Sequence, residues 1–197
     1  MSQMPFRCQV RLTLSDLDRG VYAQRTIVVA QQPDEPDEHI LLRFLAHVLF
    51  FDERLEDTDG WISTQADLQA TDLTGQLSMW IECGMPPERR QVKLKRLQKA
   101  LGHQKSARFI GLFADHAEAE TFRQAIIAER PRNLERLEIH LVDEAFMGFL
   151  EKVGNRNMSW TATITEGTLY LESDGQSTEV ALGRLQVIQG HGARMLS

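Results

Sequence analysis

Two acids and a run of cations are the residues of this sequence best placed to do chemistry. Glu82 stands at the end of a short apolar run, Leu77 to Ile81, ten residues after Asp72 in the stretch Asp72-Leu73-Thr74-Gly75. Two carboxylates at the ends of adjacent strands can share a hard divalent cation, because Mg²⁺ takes oxygen ligands at about 2.0–2.1 Å and keeps several waters. A metal held in this way activates water for attack at phosphorus. Directly downstream come Arg89, Arg90, Lys93, Lys95, Arg96 and Lys99, in a chain whose formal net charge is −6. Positive charge beside paired acids points to a metal-ion and phosphate site.

Each candidate also has a plainer reading. Asp72 before Thr74-Gly75 can simply start a turn, since Asp side chains bond to backbone amides two residues on. Alternation places Glu82 with Ser78 and Trp80 on one strand face, opposite Leu77, Met79 and Ile81; an exposed strand face gives the same pattern. Glu38, in the first turn of a helix, falls at about 100° per residue on the apolar stripe of Leu45 and Leu49, so its carboxylate is expected to face the sheet. A buried charge there needs a cation, hydrogen bonds or a solvent cleft, although the helix dipole alone favours an acid at that position. On the following helix Arg89, Lys93 and Arg96 share a stripe bordering Leu94, Leu97 and Leu101. Lys93 then reaches the buried edge, while Arg89, Arg90 and Arg96 grip flanking phosphates. Most helical charge runs are merely solvated faces, and it is the neighbouring acids that favour a site.

The elements that must position these groups are read from periodicity. Phe6 to Leu14 and Tyr22 to Ala30 alternate as two strands that pair, and helical spacing of Leu41, Phe44, Leu45, Val48 and Leu49 predicts a helix from about Pro36 to Phe51. Residues 52–71 read as a loop with one short strand or turn. Leu77 to Glu82 is a buried strand ended by Gly84, and Pro86-Pro87 opens the cationic helix. A β-α-β-α succession continues with a strand from Ala107 to Phe113, a helix from His116 to Arg130, a strand from Leu134 to Val142 and a helix capped by Asp143. Strands from Trp160 to Thr165, Thr168 to Glu172 and Glu179 to Gln189 are separated by Glu166-Gly167 and Asp174-Gly175, both hairpin signals. The tail after Gly190 is expected to fray. The fold class is therefore α/β, or α+β: a mixed sheet flanked by helices, with extra strands at both ends.

Bulk properties bound the function. A chain of 197 residues with 42% hydrophobic content suits one domain with a substantial core. No apolar run approaches a membrane span and the start has no signal region, so a soluble cytoplasmic monomer is expected. Cys8 and Cys83 are too few for a disulfide framework or a zinc site. The histidines show no ligand spacing and read as structural or surface groups. Serine-nucleophile elbows and phosphate-cradling glycine loops are absent, which disfavours triad hydrolysis and nucleotide-triphosphate chemistry. Residues 88–108 carry eight Lys and Arg against one acid, a local +7 that leaves −13 for the remainder. Any polyanion contact is therefore local, and with aromatics not interleaved among the cations it is expected at the backbone rather than through base stacking.

Four stretches, RLTLSDLDRGVY, EHILLRFLAHVLFFDERLE, DLTGQLSMWIECGMPPERR and WTATITEGTLYLES, give the chain a resemblance, over nearly its whole length, to the YaeQ family, bacterial proteins related in fold to the PD-(D/E)XK nucleases. The resemblance implies a single restriction-endonuclease-like domain with Glu38 as the helix acid, Asp72 as the first motif acid and Glu82 as the acid of (D/E)XK. Gly84 stands where the motif lysine belongs and Thr71 where its proline belongs, so Lys93 on the next helix is the replacement cation. The resemblance thus implies a Mg²⁺- or Mn²⁺-dependent nuclease with Asp72, Glu82, the Cys83 backbone carbonyl and Glu38 as metal ligands and Lys93 beside the nucleophile. The rival expectation is a non-catalytic module on a degenerate nuclease fold, binding DNA or RNA or a protein partner.

Overall fold

The computed structural model describes residues 6–185, apart from positions 59, 62, 63, 105 and 182. Two mixed sheets dominate. The first holds the long amino-terminal strands β1 (Phe6–Asp16) and β2 (Val21–Gln31) with β8 (Asn157–Thr165), β9 (Thr168–Ser173) and β10 (Gln176–Ala181), in the order β10-β9-β8-β1-β2. β1 and β2 pair antiparallel from Phe6↔Gln31 to Asp16↔Val21, as their alternation predicts, and β8 lies parallel to β1. Both later hairpins close with two-residue loops whose central residues have positive φ, Glu166 (51°) with Gly167 (71°) and Asp174 (50°) with Gly175 (74°). Such turns match the right-handed twist of the strands they join.

The second sheet runs β11-β7-β6-β5-β4-β3. Its centre is the parallel trio β5 (Leu77–Cys83), β6 (Arg108–Phe113) and β7 (Leu137–Leu141), connected through α2 (Arg90–His103) and α3 (His116–Glu129). β4 (Leu68–Thr71) and the two-residue β3 (Glu56–Asp57) extend one edge antiparallel, so the stretch read as loop supplies two strands. The other edge holds β11 (Gly183–Leu185). The single strand expected over 179–189 is thus split: its first part belongs to one sheet and its continuation to the other, while residues 186–189 and the tail lie outside the described residues.

Helices α1 (Asp37–Leu49) and α4 (Glu144–Val153) pack together between the sheets, and α2 and α3 cover the far face of the second sheet. The order is sheet, helices, sheet, helices. α1 is therefore buried almost all round, with every residue from His39 to Leu49 inside, as expected for a helix with a sheet on both sides. Strand alternation divides the core: Met79, Ile81, Cys83, Ile110 and Leu112 face α1, whereas Trp80, Phe109 and Phe113 face α2 and α3. Among the described residues, no helix is long and apolar enough to cross a membrane, and both cysteines are buried and unpaired.

Candidate functional site

At the end of β5 the two faces of the second sheet meet in a buried cluster of charges. β5 ends at Cys83, and the chain turns at Gly84 with φ +55°, a left-handed conformation that costs glycine nothing. A lysine there would be strained, which gives a physical reason for the cation to come from elsewhere. It comes from α2: Lys93 Nζ donates to Asp67 Oδ2 (2.5 Å), Cys83 O (2.7 Å) and Gly84 O (3.2 Å), and stands 3.9 Å from Glu82 Oε2. One turn on, Arg96 donates Nε to Glu82 Oε1 (2.8 Å), and its Nη2 donates both to Glu82 Oε2 and to Asp67 Oδ1 (3.0 Å). Arg96 also donates to the carbonyl of Gly60, where the chain passes so close to Ala66 that a Cβ would collide with its backbone. Trp80 Nε1 donates to Glu82 Oε1 (2.9 Å), and Cys83 N donates to Asp67 Oδ2 (2.7 Å).

From the other side α1 presents a stripe at every fourth residue. His39 Nδ1 meets Glu35 Oε1 at 2.6 Å, and its Nε2 faces Lys93 Nζ (3.0 Å) and Asp67 Oδ2 (3.3 Å). Arg43 bridges Glu35 (2.8 Å) and Asp57 (3.0 Å), and His47 Nε2 lies 2.7 Å from Asp57. Trp61, 3% exposed, closes the cluster: its ring lies 4.9 Å from that of His39, its Nε1 donates to Asp34, and Arg89 stacks on its outer face.

Electrostatics splits the two central acids. Burial pushes the Asp67 carboxyl up, but Lys93, His39 and Arg96 outweigh it and hold Asp67 well below the usual range. Burial and then the charge of Asp67 raise Glu82, against the opposing pull of Arg96. Glu35 is held low because His39 and Arg43 overcome its burial. Glu82 is 0% and Asp67 1% exposed, with Lys93 at 2% and Arg96 at 6%. Four acids, Glu35, Asp57, Asp67 and Glu82, thus face Lys93, Arg43 and Arg96 with two histidines among them, and the cluster offers solvent almost nothing.

Of the residues expected to act together, Glu82, the Cys83 carbonyl and Lys93 do meet. Asp72 does not join them. It caps the turn between β4 and β5, accepting on Oδ1 from Thr74 N (2.8 Å), Thr74 Oγ1 (2.6 Å) and Gln76 N (3.0 Å), bonds that lower its pKa. That turn is at the far end of the hairpin, about 17 Å along the strand from Asp67 at roughly 3.3 Å per residue. Asp67, which bonds Lys93, stands in the place assigned to Asp72. Glu38 is exposed rather than turned to the sheet, whereas its neighbours His39 and Ile40 are buried. Its carboxyl lines an acidic pocket with Asp115 and Glu151, and burial followed by those charges raises its pKa. Arg96, expected to grip phosphate, points inward; Arg89 lies over Trp61; Arg90, at the start of α2, is half-buried. His39 and His47, read as surface or structural groups, belong to the cluster. The spacing His39, Arg43, His47 within α1 is the signal in the chain that points to them, since residues four apart share a helix face.

The sequence reading puts a divalent cation on Asp72, Glu82, the Cys83 carbonyl and Glu38, but Asp72 and Glu38 lie outside the cluster. The Glu82 oxygens, the Cys83 carbonyl and both Asp67 oxygens already accept from Lys93, Arg96, Trp80 or Cys83 N. No group of three or more His, Cys, Asp or Glu among the described residues is arranged to hold a metal ion. The donor set as folded does not fit the ion.

Fold and site together define a mixed α+β protein with two sheets and a sealed acid–cation cluster where β5 meets α1 and α2. A family model described as "YaeQ protein" matches residues 1–182, and the chain belongs to the YaeQ family. It is 28% identical over 174 residues to "Uncharacterized protein YaeQ" of Salmonella typhi, covering 87% of this chain and 90% of that one, and matches the Escherichia coli K12 protein of the same description to the same extent. The crystal structure of YaeQ protein from Xanthomonas axonopodis pv. citri superposes with a TM-score of 0.75 at 28% identity, over 91% of this chain and 97% of its own. That from Pseudomonas syringae gives 0.77 at 25%, over 92% and 96%.

Proposed function

We propose that this protein is a non-hydrolytic nucleic-acid-binding module on a nuclease-like frame, in which the buried acids serve structure and the outer face of α2 holds the phosphate backbone. The observation that carries this reading is the internal neutralisation of Asp67 and Glu82. An ammonium and a guanidinium occupy the positions a metal would need, and neither carboxylate reaches solvent. A site that activates water at phosphorus must admit both water and phosphate. Lys95 and Lys99 are exposed on α2, and no described carboxylate pairs with them. They leave a cationic surface on a chain of net charge −6, which suits local contact with a polyanion and strong salt dependence.

The test combines three measurements on the wild-type protein: Mn²⁺ titration by calorimetry, incubation of labelled DNA and RNA with Mg²⁺ or Mn²⁺, and fluorescence anisotropy of the same oligonucleotides at about 50 and 200 mM salt. The expected result is binding that weakens with salt, no saturable Mn²⁺ uptake and uncut substrate. Saturable Mn²⁺ binding abolished in Glu82→Gln, with cleavage, ends the proposal.

A second reading has one specific observation in its favour. Two acids and a backbone carbonyl lie within 3.9 Å of a helix-borne lysine, which is the kind of constellation the family resemblance implies for a Mg²⁺- or Mn²⁺-dependent nuclease. On that reading Asp67 takes the role first given to Asp72, and the ion has to displace Lys93 and Arg96. Metal-dependent cleavage lost in both Asp67→Asn and Lys93→Met supports it.

A further inference from the structure

Beside α2 runs an open groove of about 510 Å³ that borders the buried cluster and shares Trp80 and Arg96 with it. Its floor is apolar, made by Trp80 of β5 and by Val92 and Ala100 of α2, and its rim carries Lys95, Lys99 and Gln104. Helical spacing produces this arrangement. At about 100° per residue Val92, Lys95 and Lys99 fall within about 60° of one another, with Ala100 at the edge next to them, while Lys93, Leu94 and Leu97 turn inward. Val92 remains 43% exposed. The ring of Trp80 is fixed in place, because its Nε1 donates to Glu82 and its centroid lies 6.5 Å from that of Phe109. Arg96 holds Glu82 in turn, so the buried cluster sets the shape of the groove floor.

Resting on the nucleic-acid reading above, we propose that this groove is a nucleobase pocket, and that the protein takes single-stranded rather than duplex nucleic acid. Three features fit that occupant. The volume lies in the range of small-ligand sites, which pair apolar lining with a few polar groups. The Gln104 amide offers both a donor and acceptors to a base edge. A rise of about 1.5 Å per residue sets Lys95 and Lys99 about 6 Å apart along the helix, close to the separation of successive phosphates on one strand. A duplex keeps its bases stacked inside and presents none to such a pocket unless one is flipped out at a cost. Apolar contact with a base together with phosphate contact is the general mode of single-strand binding. The groove thereby extends the expectation of backbone contact alone.

The experiment is fluorescence anisotropy of the full chain with a labelled dT 12-mer, its duplex, and an abasic 12-mer of the same charge, with poly-Glu as a polyanion lacking bases and sugars. The expected order is dT 12-mer at least about tenfold tighter than the abasic strand and the duplex. Ala100→Phe fills the groove and is expected to reduce the dT 12-mer to the affinity of the abasic strand while leaving the latter unchanged, with circular dichroism and melting temperature verifying the fold. If that variant fails to fold, Val92→Asn removes apolar floor at an exposed position without adding charge beside Lys95 and carries the same expectation. Equal affinity for dT and abasic strands overturns the base pocket and leaves the backbone reading standing. Poly-Glu binding as tightly as dT overturns it in favour of an acidic protein partner, and failure to bind any of the four overturns both readings.

Discussion

The two faces of α2 carry the same kind of residue to opposite ends. On the inner face Lys93 and Arg96 are 2% and 6% exposed and bonded to Asp67 and Glu82. On the outer face Lys95 and Lys99 are exposed, with no described carboxylate paired to them. Lys93 and Lys95 are two residues apart in the chain, yet a rotation of about 100° per residue moves a charge from protein interior to solvent. The difference teaches that a cationic helix beside two acids is not one electrostatic feature. Its inner half compensates buried charge, and only its outer half is available to a partner.

The largest expected effect breaks the inner face. Removing one partner of a buried ion pair leaves its opposite uncompensated, at a cost of about 3–5 kcal/mol. Lys93→Met is expected to lower the free energy of unfolding in urea by that amount. A loss under about 1 kcal/mol would show that Asp67 is hydrated and that the two faces differ less than their exposure suggests.

Acid titration sharpens the same point. An acid whose pKa is lower in the folded state binds fewer protons there, so its stabilising contribution is complete above the unfolded value of about 3.9. That contribution is lost as pH falls through the lower, folded value. Asp67 is such an acid, held down by Lys93 above all against its burial. The stability difference between wild type and Asp67→Asn is expected to stay constant from about pH 8 to 5 and to narrow below about pH 4. Glu82 is shifted the other way, by burial and then by the charge of Asp67 itself, so the comparison is made in a Glu82→Gln background, where that group does not titrate, by chemical denaturation at each pH. A difference that instead widens on acidification contradicts the assignment.

The outer face is expected to separate binding from stability. Lys95→Gln with Lys99→Gln should change unfolding free energy by no more than about 0.5 kcal/mol. The salt dependence of single-strand affinity should become shallower by about 0.7 for each phosphate that is no longer neutralised. Asp72→Ala is expected to have the smallest effect: oligonucleotide affinity unchanged, with only a slight fall in melting temperature from loss of the turn bonds to Thr74 and Gln76. Abolished binding in Asp72→Ala would return that acid to the site.

Much of the fold is legible in the chain because its signals are local. The β1–β2 pair, the two glycine hairpins and the succession from β5 to α4 arise from alternation, helical spacing and turn chemistry. The site is legible in part. Glu82 and Lys93 stand out because each borders an apolar stripe, but the motif assigns the first acid to Asp72, whereas it is Asp67 that meets Lys93. Thr74 and Gly75 after Asp72 signal a turn, and that turn consumes its carboxylate. Asp67 carries no motif of its own and gains its partners only when Ile81 O accepts from its backbone N–H and sets it beside Cys83.

By itself the sequence determined most of the secondary elements and the acidic chain with one cationic helix. The tertiary structure decided which acid each cation meets and that Asp67 and Glu82 are closed to solvent. Periodicity reports which face of an element is apolar, whereas the pairing of charges depends on how α1, α2 and two strand ends are brought to within hydrogen-bond reach of one another. That convergence is set by packing between residues far apart in the chain, which no local pattern encodes.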